Sequence, residues 1–324
     1  MAVAAITAVA CSKNEKTESA SIHPNSFSVA MADLQNGNET KTGLIEEGGQ
    51  YNKLVWAAGD QLYITTSGEI GGKGGTSFNY ATYVTSDSGT TVANFSKKDG
   101  SIEIPGTGDY VAIYSGACDY SVLNGYIFRT ATSNYIQAAI PVNQVYVENG
   151  IAPNAMPMYA YGDDLNNLNF KLLGNVLRFN LYNGDGSKVI KIKSIELTAG
   201  GSSSHRGIAG AFGIHVTMLD QDPSSNTGVW ITTASSNQGS DHINYSCGSG
   251  ITLSTDDENP TAFNVVISRT NPTPSDEITA RFTYSVNDGA DTYKDIVLTN
   301  FDQTKREALG KIYTFTPAKD VASW

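Results

Sequence analysis

The sequence predicts an all-β protein built as two antiparallel β-sandwiches in tandem. Three observations carry that prediction. Nearly every segment with a readable pattern has the two-residue period of a half-buried strand. Clusters of Gly, Asn, Asp and Ser separate those segments at intervals that suit a sandwich better than a parallel sheet with crossover helices. The length of 324 residues exceeds the usual domain size of about 100–200 residues, so two units can each bury a core. The expected division is 1–21 as a signal and tether, 22–165 as the first sandwich and 166–324 as the second.

The chain opens on an apolar run with small residues at Ala8 and Ala10, reaches Cys11, and turns polar from Ser12 to Glu18. An apolar run that ends on a cysteine ahead of a charged tether reads as a lipoprotein signal, with Cys11 the acylated first residue of the mature chain. No Lys or Arg precedes the run. No other stretch approaches the ~20 apolar residues of a membrane helix, so the chain is expected to be anchored to a membrane rather than threaded through it.

The first strand pattern is 27–31, where Phe27, Val29 and Met31 alternate with Ser28 and Ala30. Residues 36–43 are turn-rich, and Lys41 is their one basic residue, which marks an exposed loop. Strand patterns follow at 53–56, 61–65, 110–114, 135–140, 176–182, 208–216, 263–267 and 312–316. The clearest is 278–286, where Ile278, Ala280, Phe282, Tyr284 and Val286 face one way and Thr279, Arg281, Thr283 and Ser285 the other. That is an antiparallel strand with one wet face. In 189–197, Ile190 and Ile192 share one parity and Ile195 and Leu197 the other, which predicts a β-bulge near Lys193 and Ser194. One short helix is expected at 303–309, between Asp302 as N-cap and Gly310 as C-terminal glycine. Glycine-rich segments at 71–75 and 200–204 read as flexible loops, and the polar segment 161–169 as the division between units. Trp56, Phe179, Leu181, Phe282 and Tyr284 are expected in the cores.

Composition excludes several functions. With 21 Lys and Arg against 32 Asp and Glu, the net charge is −11, which argues against a nucleic-acid partner whose affinity comes from neutralised phosphates. Cys118 and Cys247 lie far apart without metal-ligand spacing, and both read as small buried hydrophobes, although a disulfide is permitted outside the cell. His23, His205, His215 and His242 form no HExxH or HxH pair. There is no GxSxG elbow, and 71–75 lacks the ending and following helix of a phosphate cradle. The clusters at Asp163, Asp164, Asn166 and Asn167 and at Asp256, Asp257, Glu258 and Asn259 lack an EF-hand frame and read as solvated turns. No metal, cofactor or enzymatic activity is expected. Among the 17 Tyr, 11 Phe and 3 Trp, Trp230 beside the polar segment 235–240 is where a sugar platform would be sought, although most strand aromatics serve the core.

Several segments, taken in order, resemble the fimbrillin family, the subunits of type V pili on the surface of Bacteroidales bacteria. They are the start at Cys11, the strand 27–31, Lys41 with Thr42, and the W-x-x-G-D of Trp56, Gly59 and Asp60. Further on come 108–114 (GDYVAIY), 140–144 (IPVNQ), 156–160 (MPMYA), 175–179 (NVLRF), 193–197 (KSIEL) and 208–212 (IAGAF).

The resemblance implies two transthyretin-like sandwiches and an assembly function without catalysis. It implies a precursor carried to the outer membrane as a lipoprotein, cut after a basic residue in the loop behind the first strand. Phe27, Val29 and Met31 would be the removable plug and Lys41 the cleavage residue. A strand from another pilus subunit would fill the groove, pairing open backbone groups and covering wet apolar residues. A host or bacterial surface ligand would be the adhesive partner. After Pro317 only 318–324 remain, short for a separate donor arm, so tip, shaft and non-polymerising roles stay open. The rival readings are a surface lipoprotein that binds glycans, which needs exposed aromatics with polar neighbours, and an extracellular hydrolase, which needs convergent titratable residues.

Overall fold

The structure is a computed structural model that describes residues 24–30, 35–36, 54–72, 79–114, 128–131, 133–200, 207–215, 231–233, 239–268, 278–298 and 311–324. Cys11, Met31, Lys41, Cys118, His23, His205, Trp230 and the expected helix at 303–309 lie outside them.

Among the described residues the chain is nearly all strand. A seven-stranded sheet runs in the order β1 (Ser26–Ala30), β5 (Val92–Lys97), β4 (Ala81–Thr85), β3 (Gln61–Thr66), β6 (Tyr110–Tyr114), β10 (Met158–Gly162) and β11 (Lys171–Leu172). A four-stranded sheet orders β18 (Thr261–Ser268), β12 (Gly174–Tyr182), β21 (Lys311–Asp320) and β2 (Gln35–Asn36). A five-stranded sheet orders β20 (Thr292–Leu298), β19 (Ile278–Val286), β13 (Ile190–Ala199), β17 (His242–Thr252) and β9 (Asn143–Val145). In the last sheet β15 (Ile231–Thr233), β14 (Ala209–His215), β8 (Ser133–Ile140) and β7 (Phe128–Ala131) follow one another, and β16 (Gly239–Ser240) also pairs with β14. Most pairings are antiparallel; β12 with β21, β2 with β21 and β17 with β9 are parallel. All four sheets take strands from both sides of 165/166, and the buried hydrophobic residues form one continuous cluster from Phe27 to Val321.

Alternation of side chains fixes which face of each strand is dry. In β19, Ile278, Ala280, Phe282 and Tyr284 are buried while Arg281 is exposed. In β13 the dry set changes parity between Ile192 and Ile195, and the register shifts there against both neighbours. Opposite Tyr284 and Thr283 of β19, Lys193 is the extra residue, so the bulge lets all four apolar side chains reach one core. β12, central in its sheet, is buried on both faces from Gly174 to Phe179. Trp56, Phe179, Leu181, Phe282 and Tyr284 are all buried.

Two local expectations need correction. Within the strand expected at 53–56, the described residues 54–56 form no named strand; Trp56 makes an isolated bridge to Thr90. Gly71 and Gly72 are not loop but close a short helix, α1 (Ser67–Gly72), because the Thr66 hydroxyl accepts from the Glu69 N–H at 3.3 Å and caps its first turn. The polar segment 161–169 holds a defined turn. Asp164 caps a 3-10 turn at Leu165–Asn167 by accepting from the Asn166 N–H, and Leu165 and Leu168 are buried.

The chain end is docked. β21 continues through Pro317, where its pairing with β12 slips between Phe179 and Leu181, and a bulge accommodates a residue with no N–H to donate. The Asp320 carboxylate then accepts from the Gly184 and Ala322 N–H groups at 2.8 and 2.9 Å. Trp324 packs on Phe282 and Tyr284, with ring centroids 5.2 and 5.6 Å apart.

Phe282 is fully buried between Phe179 and Trp324. Phe282→Ala should therefore destabilise the protein by about 3–5 kcal/mol in urea unfolding. A loss below about 1 kcal/mol would mean that the dry face of β19 is misassigned.

Candidate functional site

The strand of interest is β1, at the edge of the seven-stranded sheet, with β5 as its one strand neighbour among the described residues. Its alternation sends Phe27 and Val29 into the core and leaves Ser26, Ser28 and Ala30 exposed. It pairs antiparallel from Ser26 opposite Ser96 to Ala30 opposite Val92. On the wet face the Ser28 hydroxyl donates to Asn94 Oδ1 at 2.7 Å. Just before the strand, the Asn25 carbonyl accepts from the Lys97 N–H at 2.8 Å and the Pro24 carbonyl from the Tyr83 hydroxyl at 3.0 Å. Burial, with the charge of Glu103 as a lesser cause, pushes the Tyr83 phenol up to about 12, so it stays a donor at neutral pH.

Beneath β1 lies a set of packed rings. Phe27 meets Tyr83 edge-on at 4.9 Å and stacks near Phe95 at 6.4 Å. Trp56, fully buried, touches Phe95, Tyr114 and Phe170 edge-to-face at 4.9, 5.5 and 6.3 Å. Its indole N–H donates to the Val29 carbonyl at 3.2 Å, inside the core. Each ring pair adds about 0.5–1.5 kcal/mol beyond burial, and a buried indole N–H needs its acceptor.

The W-x-x-G-D pattern is the device that places Trp56. Asp60 accepts from the Ala57 N–H through its carboxylate at 2.8 Å, and its own N–H donates to the Ala57 carbonyl at 3.0 Å. Gly59 sits at φ +92°, where a side chain is strained, and donates to the Thr85 carbonyl at 2.8 Å. The turn thus reverses the chain behind Trp56 and delivers β3. Asp60 is itself buried, and desolvation holds its carboxyl above the usual range against the lowering pull of the Ala57 N–H and the Tyr114 hydroxyl. The Tyr114 hydroxyl donates to Asp60 Oδ1 at 3.0 Å, with Asn154 Oδ1 2.6 Å away, and burial pushes its phenol up.

β1 is held marginally by itself. Burying Phe27 and Val29 stabilises by about 1.5–3 kcal/mol each, while ordering its five residues costs about 1–2 kcal/mol apiece. The cost exceeds what the two side chains supply, so β1 also depends on its backbone pairing with β5. β1 also lies against the 3-10 turn at Leu165–Asn167, which joins β10 to β11 at the far end of the same sheet. The two ends of the sheet therefore curl toward each other across the buried rings.

The structure brings Phe27 and Val29 together on one dry face; Met31, Lys41 and Cys11 lie outside the described residues. His242 is exposed beside Asp241 and Ser240. His215 lies on β14 opposite Tyr135. Asp256 shapes its own turn, accepting from the Glu258 N–H and the Asn259 amide, which hold its carboxyl low. Cys247 is buried, free, and pushed up to about 12 by desolvation, so its thiol is protonated at neutral pH. Among the described residues no three His, Cys, Asp or Glu side chains are placed to hold a metal ion.

Sequence reasoning missed two parts of this arrangement. The Trp56 bond to β1 spans 27 positions in sequence, and only the Gly before Asp60 hinted at the turn that makes it. Gln144 completes a sheet edge: its side-chain amide donates to the Val266 carbonyl at 2.7 Å and accepts from the Val266 N–H at 2.9 Å. It acts on β18 as one rung of a missing strand.

No family model matches the chain, and no curated protein matches it. Two solved structures are similar to it. One is a provisionally assigned cell adhesion protein from Bacteroides ovatus ATCC 8483, at 11% identity and a TM-score of 0.36, over 82% of this chain and 84% of that one. The other is a provisionally assigned cell adhesion protein from Bacteroides fragilis NCTC 9343, at 11% identity and a TM-score of 0.45, over 91% of this chain and 92% of that one. With both scores below 0.5, neither likeness carries an argument about what this chain does.

Proposed function

We propose that this chain is a structural and adhesive subunit of a cell-surface pilus, exported as a lipoprotein on Cys11, matured by proteolysis and assembled by strand addition. The observation that carries the reading is β1: an edge strand with one neighbour among the described residues, its Phe27 and Val29 filling a ring-lined core. Lys41 follows it in sequence, in the turn-rich segment 36–43. A cut after Lys41 frees β1, and with it β2, which pairs with β21.

The physics of exchange follows from what β1 covers. Its departure leaves the outer backbone groups of β5 unpaired and wets Tyr83, Phe95 and Trp56. An incoming extended segment with two apolar side chains at alternate positions repairs both losses. The tandem transthyretin-like sandwiches implied by the fimbrillin resemblance belong to the same reading, as does an adhesive role without catalysis. Other pilus subunits are the proposed partners, and the outer membrane holds the precursor through its lipid.

Two measurements test this. Cys11→Ser should release the protein from the membrane fraction, since a short apolar segment without acyl chains holds weakly; undiminished association rules out the anchor. Brief trypsin treatment of the folded protein should cut first after Lys41, because loop tips open at little cost. A peptide copying residues 24–30 should then raise the melting temperature of the cut protein and leave the intact protein unaffected. The same peptide with Asp in place of Phe27 and Val29 should have no effect. A first cut elsewhere, or equal action of both peptides, contradicts the proposal.

A further inference from the structure

The outer face of the five-stranded sheet carries an ordered array of side chains. Cross-strand pairing places Asp295 of β20, Arg281 of β19, Glu196 of β13 and Asn244 of β17 opposite one another in a single row. Directly opposite residues share a face. All four are exposed, while the residues that alternate with them in β13, β17 and β19 fill the core. The adjoining row ends on Tyr293 opposite Thr283, and Tyr293 is 63% exposed, more than any other large hydrophobic residue among those described. A ring left in water forgoes the burial that strand aromatics ordinarily gain, so the position calls for a reason.

That ring is held in place. Arg281 forks onto Asp295, its Nε and Nη2 donating to the two carboxylate oxygens at 2.8 and 2.9 Å, which fixes the guanidinium plane. The guanidinium carbon lies 4.6 Å from the centroid of the Tyr293 ring, a cation–π contact. One face of the ring therefore rests on the guanidinium, and the other is turned to solvent. Glu196 flanks Arg281 on the side away from Asp295. The result is an apolar plate of fixed orientation, bordered by a row of groups that can both donate and accept hydrogen bonds.

Charge narrows the partner. In the row two carboxylates, Asp295 and Glu196, stand against one guanidinium that is already forked onto Asp295. Together with a net charge of −11, that disfavours an anionic ligand. A neutral pyranose fits both parts of the surface. Its C–H face is apolar and stacks on an aromatic plate, and each hydroxyl donates to a carboxylate while accepting from an amide or guanidinium N–H. Strands lie about 4.8 Å apart, so the row from β20 to β17 extends about 14 Å, the length of a short oligosaccharide. We infer that this face binds a neutral glycan, with one sugar stacked on Tyr293 and the following units lying along Asp295, Arg281, Glu196 and Asn244. The face is on a different sheet from β1, and its binding does not depend on strand exchange.

The probes are cellohexaose, mannohexaose, xylohexaose and chitohexaose, each titrated into the full chain by calorimetry, with hexagalacturonate as the anionic counterpart. At least one neutral hexasaccharide should bind to saturation, and hexagalacturonate should not bind. Tyr293→Ala should weaken the binding about tenfold through loss of the stacked ring, whereas Tyr293→Phe, which keeps the ring, should retain it. Glu196→Gln removes a charged acceptor and should also weaken binding about tenfold. Both positions are exposed, so each variant should melt within about 4 °C of the parent protein. Failure of all four neutral hexasaccharides to bind, equal binding of hexagalacturonate, or undiminished binding by Tyr293→Ala overturns the proposal.

Discussion

One contact organises the first half of the chain: the Trp56 indole, bonded to the Val29 carbonyl and packed against Phe95, Tyr114 and Phe170. Through that ring β1, β5, β6 and the segment ahead of β11 share one core. The indole can fill the site only because the Gly59 and Asp60 turn folds the chain back behind it. Substituting either turn residue would act on β1 from a distance, since a misplaced Trp56 leaves a buried acceptor at Val29 without its donor.

The sheet edges are treated in different ways, and the differences bear on function. The edge of β18 receives a substitute rung from Gln144. The edge strand β20 carries Lys294 and Asp295 at its centre, with Arg281 forked onto Asp295 at 2.8 and 2.9 Å and lying 4.6 Å over the Tyr293 ring. Charges on an edge strand resist edge-to-edge pairing. β1 has no charged residue and no bulge; its protection is its shortness and the burial of two side chains. The strand addition proposed above uses this edge.

Much of the fold was legible because it depends on a period of two. The dry face of β19, the alternation of Phe27 and Val29, and the bulge at Lys193 all follow from parity alone. Pairing was not legible. The parallel union of β12 with β21 joins residues more than 130 positions apart, and no local pattern encodes which strand will be a neighbour. β5 escaped notice although Ala93 and Phe95 alternate with exposed residues, because six residues with two apolar anchors resemble many polar loops. Gln144 and Arg178 were opaque for another reason. A buried polar side chain is chosen for a partner that only the assembled sheets supply, here the Val266 backbone and Asn264.

The separability of β1 from the rest of the structure is tested most directly by native-state hydrogen exchange on the intact protein. Backbone amides of 25–30 should exchange through a local opening of lower free energy than those of β13 and β19, with little dependence on denaturant. Exchange of 25–30 only together with β13 and β19, at the free energy and denaturant dependence of global unfolding, would show that β1 is an inseparable part of the core and contradict its proposed role as a removable plug.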